Sequence, residues 1–451
     1  MELKRKKVLV VGLAKTGLAV ARFLKNHGAR VTAADVMAEK QLGSHARKAR
    51  AMGIALSLGP HKAETFLAND LIVVSPGVPH TIGPLEAARE AGIQVVGELE
   101  LAVRYISEPI IAITGTNGKT TTTNLAGEML RASGFKVFVG GNIGAPLIGY
   151  VDSEVRADMI VAEISSFQLD TIESFRPKVG VLLNISEDHL DRYNDFQGYV
   201  RSKGRLFENQ EATDFAILNR ADPFMHRVEP EIRARTLYFN TNSDREDGVE
   251  FRNNEMICRL PGTMPLTLSL ESFDLKGTHN YENAAAASLA ALAAGATKSG
   301  IQKALDMFEG LRHRLEYVQT VNGVQYYNDS KGTNVGAVVR ALESFDDPVI
   351  LIMGGRDKGG DYGVLNGRVK AGVKRLIVTG EAREKILNVL GGLTNSREAT
   401  SLEEAVHLAR EAATPGDVVL LSPGCSSFDM FTDYAERGEV FCNAVGKLAE
   451  Q

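Results

Sequence analysis

Residues 111–124 read IAITGTNGKTTTTN: a short apolar run, a loop punctuated by glycine, then a lysine and a row of threonines. Gly115 and Gly118 let the backbone bend sharply and turn its N–H groups toward an anion, with Thr116 and Asn117 between them. The helix predicted behind the loop adds unpaired amides and the positive end of its dipole. Lys119 supplies a point charge for the outer phosphates, and the Thr120 or Thr121 hydroxyl suits Mg2+. The common phosphate loop has four residues between its first glycine and the Gly-Lys pair, whereas two separate Gly115 from Gly118 here. Lys and Thr still follow a strand in register, which predicts a nucleoside triphosphate site on a strand-loop-helix unit.

Around that unit lies a chain of 451 residues, long enough for two to four domains. With 44% hydrophobic and 24% charged residues, its composition is that of a folded globular protein. A net charge of −5 argues against a nonspecific nucleic-acid binder, while leaving room for a local basic cleft. Cys258, Cys425 and Cys442 are widely spaced, form no CxxC pair and offer no zinc site, which fits a reducing compartment. The opening MELKRKKVLVVG is basic, but its apolar run is short and enters a glycine turn, so it reads as a first strand. No apolar run reaches the roughly 20 residues that span a bilayer. The cytoplasm and no membrane or nucleic-acid partner are the expectations.

Strands alternate with helical stretches along the chain, the pattern of α/β units with mostly parallel sheets. In the first hundred residues, 7–11 reads as a strand, 12–17 as a turn, 18–27 as a helix, and 30–34 as a strand ending at Asp35. Another strand at 71–74 runs into Ser75-Pro76-Gly77-Val78-Pro79. Gly12, Gly17 and Asp35 suggest a nucleotide-diphosphate site, although GxGxxG is absent; packing glycines are the alternative. A second unit holds the phosphate loop and strands at 159–162 and 179–183, which run into Glu163-Ile164-Ser165-Ser166 and Asn184-Ile185-Ser186-Glu187-Asp188-His189. Such strand ends are where open α/β sheets bind ligands. An alanine-rich helix is expected at 281–296. The third unit has strands expected at 325–328, 349–353, 375–378 and 418–421.

Several residues in these positions suit phosphate chemistry. Glu163, at a strand end, can hold Mg2+ opposite the loop. His189 is a second metal ligand, a phosphate contact or part of a polar turn. Lys203 reads by composition as a solvated helix lysine. Arg314, where units two and three join, can reach a phosphate and couple binding to closure. Asp329, Ser330 and Lys331 suit a ligand facing the third unit, or a surface ion pair.

GTNGKTTTTN, GNIGAPL, EISSFQLD, NISEDHLDRY, GTHNYENAAAA, HRLE, NDSKGTN and SPGCSSFDMF occur in this order, and with them the chain resembles the Mur ligases of peptidoglycan synthesis. The stretches 328–334 and 422–431 are similar to the member that adds D-glutamate. The resemblance implies three domains: a Rossmann-like UDP-binding domain at 1–104, a P-loop-type ATP-binding domain at 105–310, and a Rossmann-like amino-acid-binding domain at 311–451. It implies a monomeric ATP-dependent ligase acting on UDP-N-acetylmuramoyl-L-alanine and D-glutamate through an acyl phosphate, with ATP and one or two Mg2+ ions.

Carried over residue by residue, the resemblance assigns Gly115, Thr116, Asn117, Gly118, Lys119, Thr120 and Thr121 to the ATP phosphates. Asn283, Arg314 and Asp329 would hold adenosine and its phosphates. Thr120, Glu163, His189 and Lys203 match metal ligands, Lys203 as a carbamate. Lys119, His189 and Lys203 form the catalytic set, and His189 or a metal-bound water would take the amine's proton. Lys15, Thr16, Asp35, Ser75, Pro76, Gly77 and Asn142 match the UDP-sugar region, with Lys15 in the first turn reaching the diphosphate. Val36-Met37 stand where some relatives carry Thr-Arg. Lys331, Thr333, Lys358, Ser427 and Phe428 match the D-glutamate region.

Overall fold

The computed structural model describes residues 2–188, 192–193, 195–241, 247–273 and 275–449. Among them the strands form three sheets, and the strands nearest the ligand turns are continuous apolar runs. KVLVV, LIVV, IIAIT, MIVAE and VVLL are buried along nearly their whole length, as strands of a parallel sheet covered on both faces must be.

The first sheet holds β1 (Lys7–Val11), β2 (Arg30–Asp35), β3 (Ala55–Leu58), β4 (Leu71–Val74) and β5 (Gln94–Gly97). All pair in parallel, in the order β3-β2-β1-β4-β5. The order reverses at β1 and β4, so the turns that follow them lie side by side. Ser75 ties them together: its N–H donates to Val11 O and its hydroxyl to Gly12 O, both at 2.9 Å.

The central sheet contains β6 (Ile110–Thr114), β7 (Val137–Gly141), β8 (Met159–Glu163), β9 (Val179–Leu182), β10 (Phe215–Asn219), β11 (Arg235–Phe239), β12 (Gly248–Arg252), β13 (Glu255–Arg259) and β14 (Leu266–Ser269). Their order is β14-β13-β12-β11-β10-β9-β6-β8-β7, with the last three strands of the chain order, β12 to β14, paired antiparallel. β6, which carries the phosphate loop, lies between β8 and β9, so Glu163 and Asn184 flank the loop. Helices Lys119–Ala132 and Thr278–Ala293 pack on one face, where Ala284 to Ala287 are fully buried against the sheet.

The third sheet holds β15 (Glu316–Val321), β16 (Val324–Asn328), β17 (Val349–Gly354), β18 (Val373–Thr379), β19 (Asn395–Glu398) and β20 (Val418–Leu421), in the order β15-β16-β20-β17-β18-β19. Only the edge pair β15/β16 is antiparallel among its described pairings. One buried cluster runs from Val8 and Val10 of the first sheet to Ile160 and Ala162 of the second, while the third unit has its own. The first two units therefore share a core. Among the described residues no helix is long and apolar enough to cross a membrane.

Two expected helices begin earlier, and several strands differ by a residue or two at their ends. The first helix spans Lys15–Asn26, so Lys15 and Thr16 are in its opening turn and Gly17 is inside it. Gly17 serves close packing there: a Cβ would stand 1.8 Å from Gly12 O. The alanine-rich helix starts at Thr278, capped by Gly277 at φ +93°, which draws His279 and Asn280 into it.

Candidate functional site

The phosphate loop closes on itself. Gly115 (φ +153°) and Gly118 (φ +85°) make the bends, and Lys119 Nζ folds back to donate to Gly115 O and Thr116 O at 2.8 Å each. Asn184 braces the loop from β9's end, accepting Asn117 N–H at 2.8 Å and donating to Asn117 O at 3.1 Å. Thr116 Oγ accepts Ser186 N–H at 3.0 Å and meets the Tyr199 hydroxyl at 3.2 Å.

Lys203 is not a solvated lysine. It is 1% exposed, donates to the same Gly115 O at 2.8 Å and lies 4.6 Å from the centre of the Tyr199 ring. Burial, followed by the charge of Lys119, holds its pKa well below the usual lysine range and favours the neutral amine. Burial lowers the pKa of Lys119 as well, against the pull of Glu163 and Asp188.

Glu163 binds the loop helix to a second segment. Thr120 Oγ1 donates to Glu163 Oε2 at 2.6 Å, and Asn142 Nδ2 donates to Glu163 Oε1 at 2.8 Å. From the third unit, Arg314 Nη2 donates to Thr120 Oγ1 at 2.5 Å, and Asn334 Nδ2 reaches Asp188 Oδ2 at 3.0 Å and Asn117 Oδ1 at 3.3 Å. Thus the four stretches GTNGKTTTTN, GNIGAPL, EISSFQLD and HRLE meet at Thr120 and Glu163.

Beside this junction opens a cavity of about 720 Å³ between the loop, helix Thr278–Ala293 and the third unit. Asn117, Gly118, Thr121, Asn283, Arg314, Asp329 and Lys331 line it, so the residues expected to hold adenosine and its phosphates do share one space. Asn283 Oδ1 accepts the Thr122 hydroxyl at 3.2 Å. Asp329 is pushed up to about 7 by burial, opposed by hydrogen bonds from Ser422 (2.8 Å) and Leu315 N–H (3.3 Å). Lys331 is lowered to about 8, first by burial and then by Arg314.

In the D-glutamate group, Lys358 Nζ donates to Thr333 Oγ1 at 3.3 Å and adds its charge to Lys331 and Lys119. Ser427 is buried. Phe428 is 62% exposed, and the ring beside Lys331 Nζ is Tyr434, 3.7 Å away, inside the last helix. His189 lies outside the described residues. In the first unit, Asp35 is turned inward, its oxygens accepting Leu13 N–H at 2.7 Å and Met37 N–H at 2.9 Å. Lys15 does not project from a free turn: it bonds Gly144 O, linking the first unit to the loop that carries Asn142. Thr16 sits beside it in the helix. Pro76 and Gly77 continue the Ser75 turn, and Gly77 O accepts Arg192 Nη1 at 3.1 Å.

Sequence reading missed Asn184, Tyr199, His279, Asn334, Tyr434 and Arg437 as individual site residues. Asn184 and Asn334 stand within motifs it singled out. His279 stands in GTHNYENAAAA, also singled out; Tyr199, Tyr434 and Arg437 had no local signal, because their roles come from tertiary packing. Arg437 buttresses the 329–331 turn through Ser330 O (2.8 Å) and Ser330 Oγ (3.0 Å). His279 is lowered to about 4 by burial.

Three family descriptions match this chain: Mur ligase MurD-like, N-terminal domain over residues 6–97, Mur ligase middle domain over 113–291, and Mur ligase, glutamate ligase domain over 313–425. The chain is 54% identical over 450 residues to a UDP-N-acetylmuramoylalanine--D-glutamate ligase of Desulfosudis oleivorans, covering 100% of this chain and 98% of that one. A protein of the same name from Desulfatibacillum aliphaticivorans is also 54% identical, with 99% and 100% covered. Among solved structures, the MurF ligase of Thermotoga maritima in complex with ADP superposes with a TM-score of 0.61 at 16% identity, covering 99% of this chain and 96% of that one. The UDP-N-acetylmuramate-alanine ligase MurC of the same organism gives 0.59 at 18%, with 98% and 100% covered. At those identities the two structures speak to the fold alone.

Proposed function

The chain belongs to the Mur ligase family, and from that premise we propose that it joins D-glutamate to UDP-N-acetylmuramoyl-L-alanine at the expense of ATP, as a cytoplasmic monomer. The observation that carries this reading is the meeting of Arg314, Thr120 and Glu163, one from the third unit and two from the second, beside a cavity large enough for a nucleotide.

The alanine carboxylate of the sugar nucleotide attacks the γ-phosphoryl group, giving an acyl phosphate and ADP. The amine of D-glutamate then attacks the acyl carbon, phosphate leaves with the electron pair of the broken C–O bond, and the amine's proton passes to His189 or water, the acceptors expected from sequence. Both first reactants are anions, so the chain's task is to gather them and screen their charge. Lys119 swings from the Gly115 and Thr116 carbonyls to the outer phosphates, and loop N–H groups donate to the remaining phosphate oxygens. Arg314 brings a planar, permanent cation from the third unit as that unit docks. Asn142 orients the sugar-nucleotide end, and Lys331, Thr333, Lys358 and Ser427 receive D-glutamate. Docking of the third unit also excludes water that would hydrolyse the acyl phosphate.

The donors present fit Mg2+. The Thr120 hydroxyl and Glu163 carboxylate are hard oxygens 2.6 Å apart at the loop's edge. No group of three or more His, Cys, Asp or Glu is placed to hold a metal among the described residues, which suits an ion completed by phosphate oxygens. Thr120, Glu163 and Lys203 as a carbamate would hold one or two ions, with His189 the further ligand expected from sequence. The bound ion would neutralise charge on the transferring phosphoryl group.

The test is phosphate release by the purified protein with ATP, Mg2+ and UDP-N-acetylmuramoyl-L-alanine, offering D-glutamate, L-glutamate, diaminopimelate or lysine in turn. Release that needs the sugar nucleotide and D-glutamate together is expected. Release with another amino acid would change the substrate, and no stimulation by any combination would overturn the ligase reading.

A further inference from the structure

Glu98 opens the short helix Glu98–Val103 at the end of β5, in the first unit, yet its side chain answers to the second. The carboxylate is 1% exposed. One oxygen, Oε1, accepts Ile148 N–H at 2.8 Å, and the Leu147 N–H and Gln168 side-chain amide also act on the group. Oε2 has no hydrogen-bond partner among the described residues. Burial raises the carboxyl to about 7, against those donors. An ionisable group held this way is costly. It does provide an acceptor shared by two separate segments.

Both segments lead to Glu163. Leu147 and Ile148 begin helix Leu147–Val151, which fixes the far end of the loop bearing Asn142, and Asn142 donates to Glu163 Oε1 at 2.8 Å. Gln168 Oε1 accepts both the N–H and the hydroxyl of Ser165 at 3.0 Å, two residues beyond Glu163. Asn142 N–H also donates to Glu163 O at 2.8 Å, so the two segments are stitched at the site as well as at Glu98.

We propose that Glu98 is a positioning residue: from the first unit it holds the Asn142 loop and the end of β8 in one register, so that Asn142, Glu163 and Thr120 meet. Its effect on turnover rests on the ligase reading above; its effect on the two segments does not.

Glu98→Leu keeps much of the volume but removes the acceptor that Ile148 N–H uses. Hydrogen exchange followed by mass spectrometry should show faster exchange in peptides covering 141–148 and 163–168, with the 119–132 helix unchanged. The kcat of sugar-nucleotide-dependent phosphate release should fall about tenfold or more, the scale of a small misplacement near the reacting groups. The KM for D-glutamate, whose proposed contacts lie on the third unit, should hold. In an Asn142→Ala background the same substitution should cost little further kcat, because Glu98 acts through Asn142. Unchanged exchange in both segments, or a kcat loss that multiplies independently with Asn142→Ala, would overturn the proposal. Faster exchange in a protein whose wild type turns over no amino acid would support the positioning role and reject the ligase reading instead.

Discussion

Arg314 and Thr120 stand 194 residues apart in the chain and meet through a guanidinium-hydroxyl hydrogen bond between the third and second units. The arginine is delivered by a strained turn: His313 (φ +63°) and Leu315 (φ +45°) are both non-glycine residues in the left-handed region. Each costs on the order of 1–3 kcal/mol, offset here by His313 N–H to Glu316 (2.8 Å) and Leu315 N–H to Asp329 (3.3 Å). Arg314→Ala should therefore lower turnover by roughly two to three orders of magnitude, the scale of losing one preorganised charge at a reacting centre. Arg314→Lys keeps the charge without the planar fork and should recover only part of the loss. Phosphate release measures both, and near-normal turnover in Arg314→Ala would remove this arginine from the chemistry.

The loop's second glycine gives a sharper structural test. At Gly118 the backbone sits at φ +85°, and a Cβ would stand 2.3 Å from Asn283 Oδ1, in the wall of the cavity. Gly118→Ala should weaken ATP binding and cost roughly 1–2 kcal/mol of stability from backbone strain alone. Lys119→Ala should leave stability nearly intact while lowering turnover by orders of magnitude. Calorimetry of ATP binding with thermal unfolding separates the two effects. Equal nucleotide affinity in Gly118→Ala and wild type would contradict the loop's assignment.

Where burial on both faces forces a continuous apolar run, the strands were legible to the residue, as at Leu71–Val74 and Val418–Leu421. Edge strands carry no such run: Asn395–Glu398 is mostly exposed and polar, and the antiparallel β12 to β14 are only half buried. The glycine bends of the loop after β6 were legible because their signal is local. Lys203 was not, since its helix composition says nothing of the Tyr199 ring and the Gly115 carbonyl that enclose it. The ring over the Lys331 amine carried no sequence signal for the same reason. The chain turns through 429–433 before the helix that begins at Tyr434, and only that turn brings the ring over the amine.

Asp329 should make stability depend on pH in an unusual direction for a carboxylate. Its pKa is raised to about 7 by burial, so between the unfolded value near 4 and about 7 the folded protein keeps a proton that the unfolded chain releases. This group therefore subtracts stability as pH rises through that window, and its contribution is level above it. His279, lowered to about 4 by burial, works the other way, adding stability as pH rises from about 4 to 6.5. Asp329→Asn isolates the first effect: its thermal midpoint should gain on wild type as pH climbs from 5 to 7, as about 1.4 kcal/mol per pKa unit implies. A difference that stays flat with pH would show that the carboxylate is not held protonated.

Lys203 and Lys119 compete for one acceptor, the Gly115 carbonyl, each at 2.8 Å. Two ammonium groups on one oxygen repel, and burial with the charge of Lys119 lowers the Lys203 pKa, the direction that relieves that repulsion. A neutral amine is the form that adds carbon dioxide. The resulting anion would sit beside Lys119 and reverse the repulsion into attraction, which favours the carbamate in this enclosure. Activity should fall in carbon-dioxide-depleted buffer and return when bicarbonate is added. Lys203→Arg, which stays charged at any working pH, should be inactive with or without bicarbonate. A wild-type rate that ignores bicarbonate depletion, with the intact protein showing no carbamate by nuclear magnetic resonance of labelled carbon, would leave Lys203 to act as the amine itself.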